Sequence, residues 1–222
     1  MSATTNCKIC QSPFQFEPIE GLSFKLTPTV CDACARRRQE SEEASQMEAL
    51  MADFESICPM LYQDTDPNHP GMPEPSKLTH MLNWKYGPRG LVVRGKTRRG
   101  KTRSVWLLMK KMTLENRSVY ALTSNEFATE CADAHGGGYA GAWMIELVEA
   151  DIVFIDDLGK SKLTERVEAS LFELIERRTR DLKPIIFTTN FTTGNELLAT
   201  MSTDRGPAIV SRIREFCDSV TL

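Results

Sequence analysis

The segment "GLVVRGKTRRGKT", residues 90–102, restricts the fold of this chain more than any other stretch. It spells the phosphate-loop pattern G-x-x-x-x-G-K-T twice, in overlapping frames that run Gly90–Thr97 and Gly95–Thr102. Such a loop must be entered from a buried strand and left through a helix, whose N-terminal N–H groups and dipole face the phosphates. The first frame is led in by "NWKYGPR", which is polar and broken by glycine and proline. Its loop would hold Leu91, Val92, Val93 and Arg94, and β-branched valines suit a strand better than a nest of backbone amides. In the second frame "LVV" is a short buried strand. "TRSVWLLMKKMTLE" follows, with Val105, Leu108, Met109 and Met112 at helical spacing. The loop is therefore assigned to Gly95, Lys96, Thr97, Arg98, Arg99, Gly100, Lys101 and Thr102, with Arg103 directly after it. Lys101 is expected to reach the β- and γ-phosphates of a nucleotide, and the Thr102 hydroxyl to ligand Mg²⁺.

A second signal lies about fifty residues further on, in "DIVFIDDLGK". Ile152–Ile155 read as a buried parallel strand that ends in Asp156 and Asp157. An acid at that strand end holds Mg²⁺ beside the phosphate loop, and its neighbour polarises the attacking water. Asp156 is assigned to the metal and Asp157 to the water. "PIIFTTN" reads as another buried strand, whose terminal Asn190 can hydrogen-bond the γ-phosphate or the water. Between these signals, "SVYAL" reads as a strand and "SNEFATECADA" as a helix capped by Ser124. "HGGGYAG" reads as a turn, and "TERVEASLFELIERRTR" as an amphipathic helix capped by Thr164. "TGNELLATM" is a short helix, and "CDSVTL" a final strand. Strands alternating with helices predict an α/β fold, a doubly wound parallel sheet with the phosphate loop at its carboxyl edge.

The 222 residues carry a net charge of −3, so any nucleic-acid contact must be local. No apolar run is long enough to span a bilayer, and "MSATTNCKICQS" lacks the apolar core of a signal peptide. These features place the protein in a reducing cytoplasm, where its seven cysteines point to metal binding or burial rather than disulfides. Cys7 and Cys10 form "CKIC", Cys31 and Cys34 form "CDAC", and about twenty residues separate the two knuckles. Four thiolates at this spacing make a closed tetrahedral zinc site, which leaves no open position for water and is therefore structural. The aromatic and proline-rich stretch between the knuckles reads as a β-hairpin with a small sticky surface, for protein or nucleic acid. Cys58, Cys131 and Cys217 have no such spacing and read as small buried hydrophobes or bystanders. The expected organisation is a zinc-binding module over 1–40, a helix and proline-rich linker over 41–79, and the nucleotide domain over 80–222.

"GLVVRGKTRRGKT", "DIVFIDDLG", "IIFTTN" and "IVSRIRE", in that order, resemble the AAA+ ATPases of the DnaC/DnaI helicase-loader and IstB transposition-helper clade. The resemblance covers roughly residues 80–222, and the four-cysteine front module resembles the DnaI-type loaders in architecture. It implies a P-loop AAA+ core with a five-stranded parallel sheet, carrying Walker A and Walker B motifs and hydrolysing ATP with Mg²⁺. It further implies that Asn190 is the first sensor and Arg212 the arginine finger that completes the site of a neighbouring subunit, with Arg205 and Arg214 as alternatives. The chain shows no second sensor arginine and no helical lid after the Arg212 helix, which fits a phage or mobile-element origin. The implied partners are a replicative ring helicase, single-stranded DNA and further copies of the chain through Arg212, with no membrane. A transposition helper of the IstB kind is the alternative enzyme. A nucleotide-dependent adaptor that grips its partner through the zinc module is the alternative outside enzymes.

Overall fold

The computed structural model describes residues 2–17, 28–160 and 162–222. The expected hairpin between the cysteine knuckles falls largely on residues 18–27, outside the described residues. The chain forms two compact units, residues 1–50 and 51–222.

In the first unit, β1 (Ala3–Asn6) pairs antiparallel with β2 (Pro13–Phe16), in a register that sets Asn6 against Pro13. The hairpin thus encloses the first knuckle rather than following it, because β1 comes from the residues ahead of Cys7. Helix α1 (Asp32–Ile57) starts inside the second knuckle. Its early turns are laced by i,i+4 contacts, Arg38 to Glu42 at 2.8 Å and Gln39 to Glu43 at 2.8 Å. The turns of α1 from Met51 onward belong to the second unit, where Phe54 is buried.

In that second unit, the proline-rich stretch is partly helical. It contains α2 (Met60–Gln63) and the start of α3 (Pro75–Leu82), which has proline at its first position. Leu78 and Met81 of α3 are buried, so this segment contributes to the core. Next come β3 (Gly90–Arg94), α4 (Lys101–Leu114), β4 (Val119–Thr123), α5 (Ser124–Gly136), α6 (Ala140–Glu149) and β5 (Ile152–Asp156). The unit ends with α7 (Glu165–Arg180), β6 (Ile185–Thr189), α8 (Gly194–Leu198), α9 (Gly206–Phe216) and β7 (Cys217–Thr221).

The five strands pair in parallel in the order β4-β5-β6-β3-β7. An all-parallel sheet needs cover on both faces, so its central strands carry unbroken apolar runs, Ile152–Ile155 in β5 and Ile185–Phe187 in β6. β5 shows the division, since Ile152 and Phe154 join one core cluster while Val153 and Ile155 join the other. On the first face lie Phe54, Leu78, Trp106, Leu108 and Met109, from α1, α3 and α4. On the second lie Phe127, Leu147, Leu171 and Ile213, from α5, α6, α7 and α9. No helix among the described residues is long and apolar enough to cross a membrane.

Two local expectations are corrected. Helix α5 is capped by Thr123, not Ser124, in a capping box with Glu126. The Ser124 hydroxyl instead donates to the Asp157 carbonyl at 3.0 Å. The expected "HGGGYAG" turn is shorter than its sequence. α5 runs to Gly136, and α6 begins at Ala140 with Trp143, Met144 and Leu147 buried. Thr164 caps α7 as expected, accepting from the Val167 N–H at 3.4 Å.

A buried arginine ties the sheet to this packing. Arg178, fully buried near the end of α7, donates to the carbonyls of Leu147 (2.8 Å), Ala150 (2.8 Å), Asp151 (2.8 Å) and Pro184 (2.7 Å). These carbonyls belong to the end of α6 and the residues just before β5 and β6. A helix C-terminus leaves carbonyls without partners, and the planar guanidinium fork answers several at once. Burial lowers the Arg178 pKa to about 10, so the side chain remains charged at neutral pH.

Candidate nucleotide site and metal centre

The strand β3 ends at Arg94 and helix α4 begins at Lys101, so the four residues that the first frame would put in its loop, Leu91–Arg94, lie in a strand. Residues 95–100 form the loop between them. Gly95 (φ 148°) and Gly100 (φ 77°) both need the freedom of glycine. A Cβ at Gly95 would lie 2.4 Å from the Leu222 carbonyl oxygen, and one at Gly100 2.5 Å from that of Gly71. Arg98 also takes a left-handed φ, 65°, at the tip of the loop.

The side chains assigned from sequence come together here. The Lys101 Nζ is mostly buried and donates to Asn190 Oδ1 at 2.8 Å and to the Lys96 carbonyl at 3.0 Å. Burial lowers its pKa, against the pull of Asp157 and Asp156. The Thr102 hydroxyl donates to Asp156 Oδ1 at 2.9 Å, and the Thr188 hydroxyl donates to the same oxygen. Burial raises the Asp156 pKa, while these two hydroxyl bonds pull it down. A carboxylate held at this depth beside a threonine hydroxyl is a hard oxygen donor set that fits Mg²⁺. Asp157 sits in a left-handed turn (φ 57°), its N–H bound to Thr188 Oγ1 at 2.8 Å.

An open cavity of about 490 Å³ is lined by Thr97, Arg98, Arg99, Gly100, Lys101, Thr102 and Arg103, and by Asp157 and Asn190. Leu61, Tyr62, Gly71 and Lys160 complete its wall. Sequence reasoning placed the first three of these in the linker and gave them no site role. A tyrosine in a proline-broken stretch carries no signal of its own. Tyr62 is fixed by stacking on Trp106 (centroids 6.5 Å apart, 16°) and by the Arg103 guanidinium 5.2 Å from its ring centre. Arg103 also donates to Thr65 Oγ1 at 2.6 Å and lies 3.6 Å from Asp64. Its side chain therefore braces the cavity wall.

Arg212 lies away from this cavity, on α9. It is paired with Glu176 at 2.5 Å and Glu215 at 3.2 Å, and these carboxylates raise its pKa. Arg205 precedes α9 and Arg214 packs over Gly194, so neither reaches the phosphate loop within one copy of the chain.

In the first unit, the sulfurs of Cys7, Cys10, Cys31 and Cys34 lie within 4.8 Å of one another. A tetrahedral zinc with Zn–S near 2.3 Å sets its sulfurs about 3.8 Å apart. Cys10 Sγ and Cys31 Sγ stand 3.8 Å apart. The Ile9 and Cys31 N–H groups each point at Cys7 Sγ at 3.4 Å, the kind of outer contact that steadies a thiolate ligand. The Cys7 pKa falls to about 6, chiefly through a hydrogen bond from the Cys10 backbone. Hydrogen bonding with the Cys10 and Cys31 thiols favours the protonated form of Cys34 and pushes it up to about 12. The donor set fits zinc, which these four residues would hold as a structural cross-link between the hairpin turn and the start of α1.

No family model and no curated protein matches the chain. Solved structures do. The DnaC helicase loader superposes with a TM-score of 0.56 at 19% identity, over 66% of this chain and 86% of that one. DnaI gives a TM-score of 0.56 at 18% identity, over 72% of this chain and 86% of that one. AMPPCP-bound DnaA from Aquifex aeolicus gives 0.54 at 17% identity, over 64% of this chain and 44% of that one. The chain shares the fold of these proteins, a five-stranded parallel sheet between helices with the Gly95–Thr102 loop at its carboxyl edge. It spans less than half the length of the two AMPPCP-bound DnaA structures, 44% and 45%.

Proposed function

We propose that this chain is an ATP-hydrolysing DNA-replication protein that loads or remodels a replicative ring helicase on single-stranded DNA. The observation that carries the reading is the convergence of Lys101, Thr102, Asp156 and Asn190 at the carboxyl ends of β3, β5 and β6. That convergence occurs in a fold that covers 86% of the DnaC helicase loader. In this reading the backbone of Gly95–Thr102 cradles the phosphates and Lys101 neutralises charge on them. Thr102 and Asp156 hold Mg²⁺, which supplies electrostatic stabilisation of the transferring phosphoryl group. Asp157 orients the attacking water, and Asn190 hydrogen-bonds the γ-phosphate. Arg212 acts on the site of a neighbouring copy once released from Glu176 and Glu215, stabilising the charge that develops there. The zinc module grips the helicase.

The deciding experiment is size-exclusion chromatography with light scattering of the full chain mixed with the replicative helicase of its host, with ATP and with ADP. A complex whose size depends on nucleotide supports the reading. Absence of a complex under every condition removes the loader assignment. Duplex-DNA binding and transposase recruitment are then the next test.

A further inference from the structure

We infer that Lys160 distinguishes a nucleoside triphosphate from a diphosphate, by leaving Asp157 for the γ-phosphate. The inference rests on the nucleotide reading above. The turn after β5 brings the two residues together. Asp157 (φ 57°) and Gly159 (φ 85°) both take left-handed conformations, and the Lys160 N–H closes the turn on the Asp157 carbonyl at 3.1 Å. The Lys160 Nζ then lies 3.1 Å from Asp157 Oδ2. Both side chains line the same cavity as Lys101 and Asn190.

The ion pair is easily surrendered. The Lys160 side chain is 59% exposed and that of Asp157 27%, and solvent-facing pairs of this kind add little to stability. A terminal phosphate carries close to twice the charge of a carboxylate and offers three acceptor oxygens. It outcompetes Asp157 for the ammonium group. The β-phosphate is already served by Lys101 and the loop amides, so a diphosphate gives Lys160 no reason to move. The exchange has two effects. It screens the γ-phosphate from the Asp157 carboxylate, and it frees Asp157 Oδ2 to hold a water. The bond from the Asp157 N–H to Thr188 keeps the acid in place meanwhile. No bond to carbon or phosphorus forms or breaks in this step, since it is an exchange of ionic partners.

The test is calorimetric titration of the full chain, with Mg²⁺ present, by AMPPCP and by ADP. Lys160→Ala is expected to weaken AMPPCP binding about tenfold, the loss of one charge-assisted contact, and to leave ADP within about twofold. Lys160→Arg retains the discrimination. A structural role for Lys160 would move both affinities together. Equal losses for the two nucleotides, or none, overturn the assignment. Lys101→Ala separates this failure from a failure of the nucleotide reading. If it abolishes binding of both ligands while Lys160→Ala changes neither, only the role of Lys160 falls. If the wild-type chain binds neither nucleotide, both fall.

Discussion

Replacing Arg178 with methionine removes four short hydrogen bonds, to Leu147, Ala150, Asp151 and Pro184, from a fully buried position. Each such bond contributes about 1 kcal/mol net, and each carbonyl left dry costs at least that much. The four together set the expected loss at ~4 kcal/mol. A chain of this size shifts its melting temperature by about 2–4 °C for each kcal/mol, so the fall is about 8–16 °C. Native domains hold only about 5–15 kcal/mol, so the variant should remain folded but become fragile. Arg178→Lys recovers part of the loss, since a single ammonium cannot span carbonyls on three segments as the planar fork does. The assay is urea denaturation followed by circular dichroism, with the slope checked for constancy. A loss under about 1 kcal/mol for Arg178→Met would refute the claim that this side chain sets the entry of β5 and β6. Because those strands lead to Asp156 and, one residue past β6, Asn190, the same variant should weaken nucleotide binding without touching the cavity.

Other changes have equally definite outcomes. Lys101→Ala should abolish AMPPCP and ADP binding in calorimetry, because its Nζ is the buried cation of the loop. Asp156→Asn should make the nucleotide-free protein more stable near neutral pH, since burial raises the Asp156 pKa and the folded state disfavours its charge. With a raised folded value, the native chain binds the extra proton, so the advantage of asparagine should shrink as pH falls to about 4, in melts taken across that range. Thr123→Ala, which breaks the capping box of α5, should cost about 1 kcal/mol in the same denaturation assay. Cys34→Ser should reduce bound zinc, measured by atomic emission on the purified chain, from one per chain to substoichiometric.

The phosphate loop, the acidic strand end and Asn190 were legible because each follows a strand whose apolar run and polar stop coincide. "DIVFIDD" states both the burial of β5 and the chemistry at its end. The four-cysteine cluster was legible for a similar reason, since paired cysteines carry their own spacing. Helix α6 was hidden behind "HGGG", because three glycines usually break a helix and here only Gly137, Gly138 and Tyr139 separate two of them. The cap of α5 was displaced by one residue because Thr123 and Ser124 are chemically alike, and Glu126 three residues after Thr123 decides between them. Leu61, Tyr62 and Gly71 could not be read at all. Their place in the cavity wall comes from a non-local approach of the proline-rich segment to the loop, which no local pattern encodes. Lys160 lay within sight, three residues beyond Asp157, but only the left-handed turn shows that the two side chains meet.

The hydrogen bond between Lys101 and Asn190 has its own consequence for how the site reports its state. One ammonium group has three protons, and two of them are given to Asn190 and to the Lys96 carbonyl. An arriving phosphate competes for those same protons, so the amide of Asn190 must find a new partner whenever the cavity fills. Asn190 is also the point where β6 leaves the sheet for α8 and then α9, the helix that carries Arg212. In the proposed reading, a bound nucleotide would be felt first at Asn190, ahead of the helix that carries Arg212.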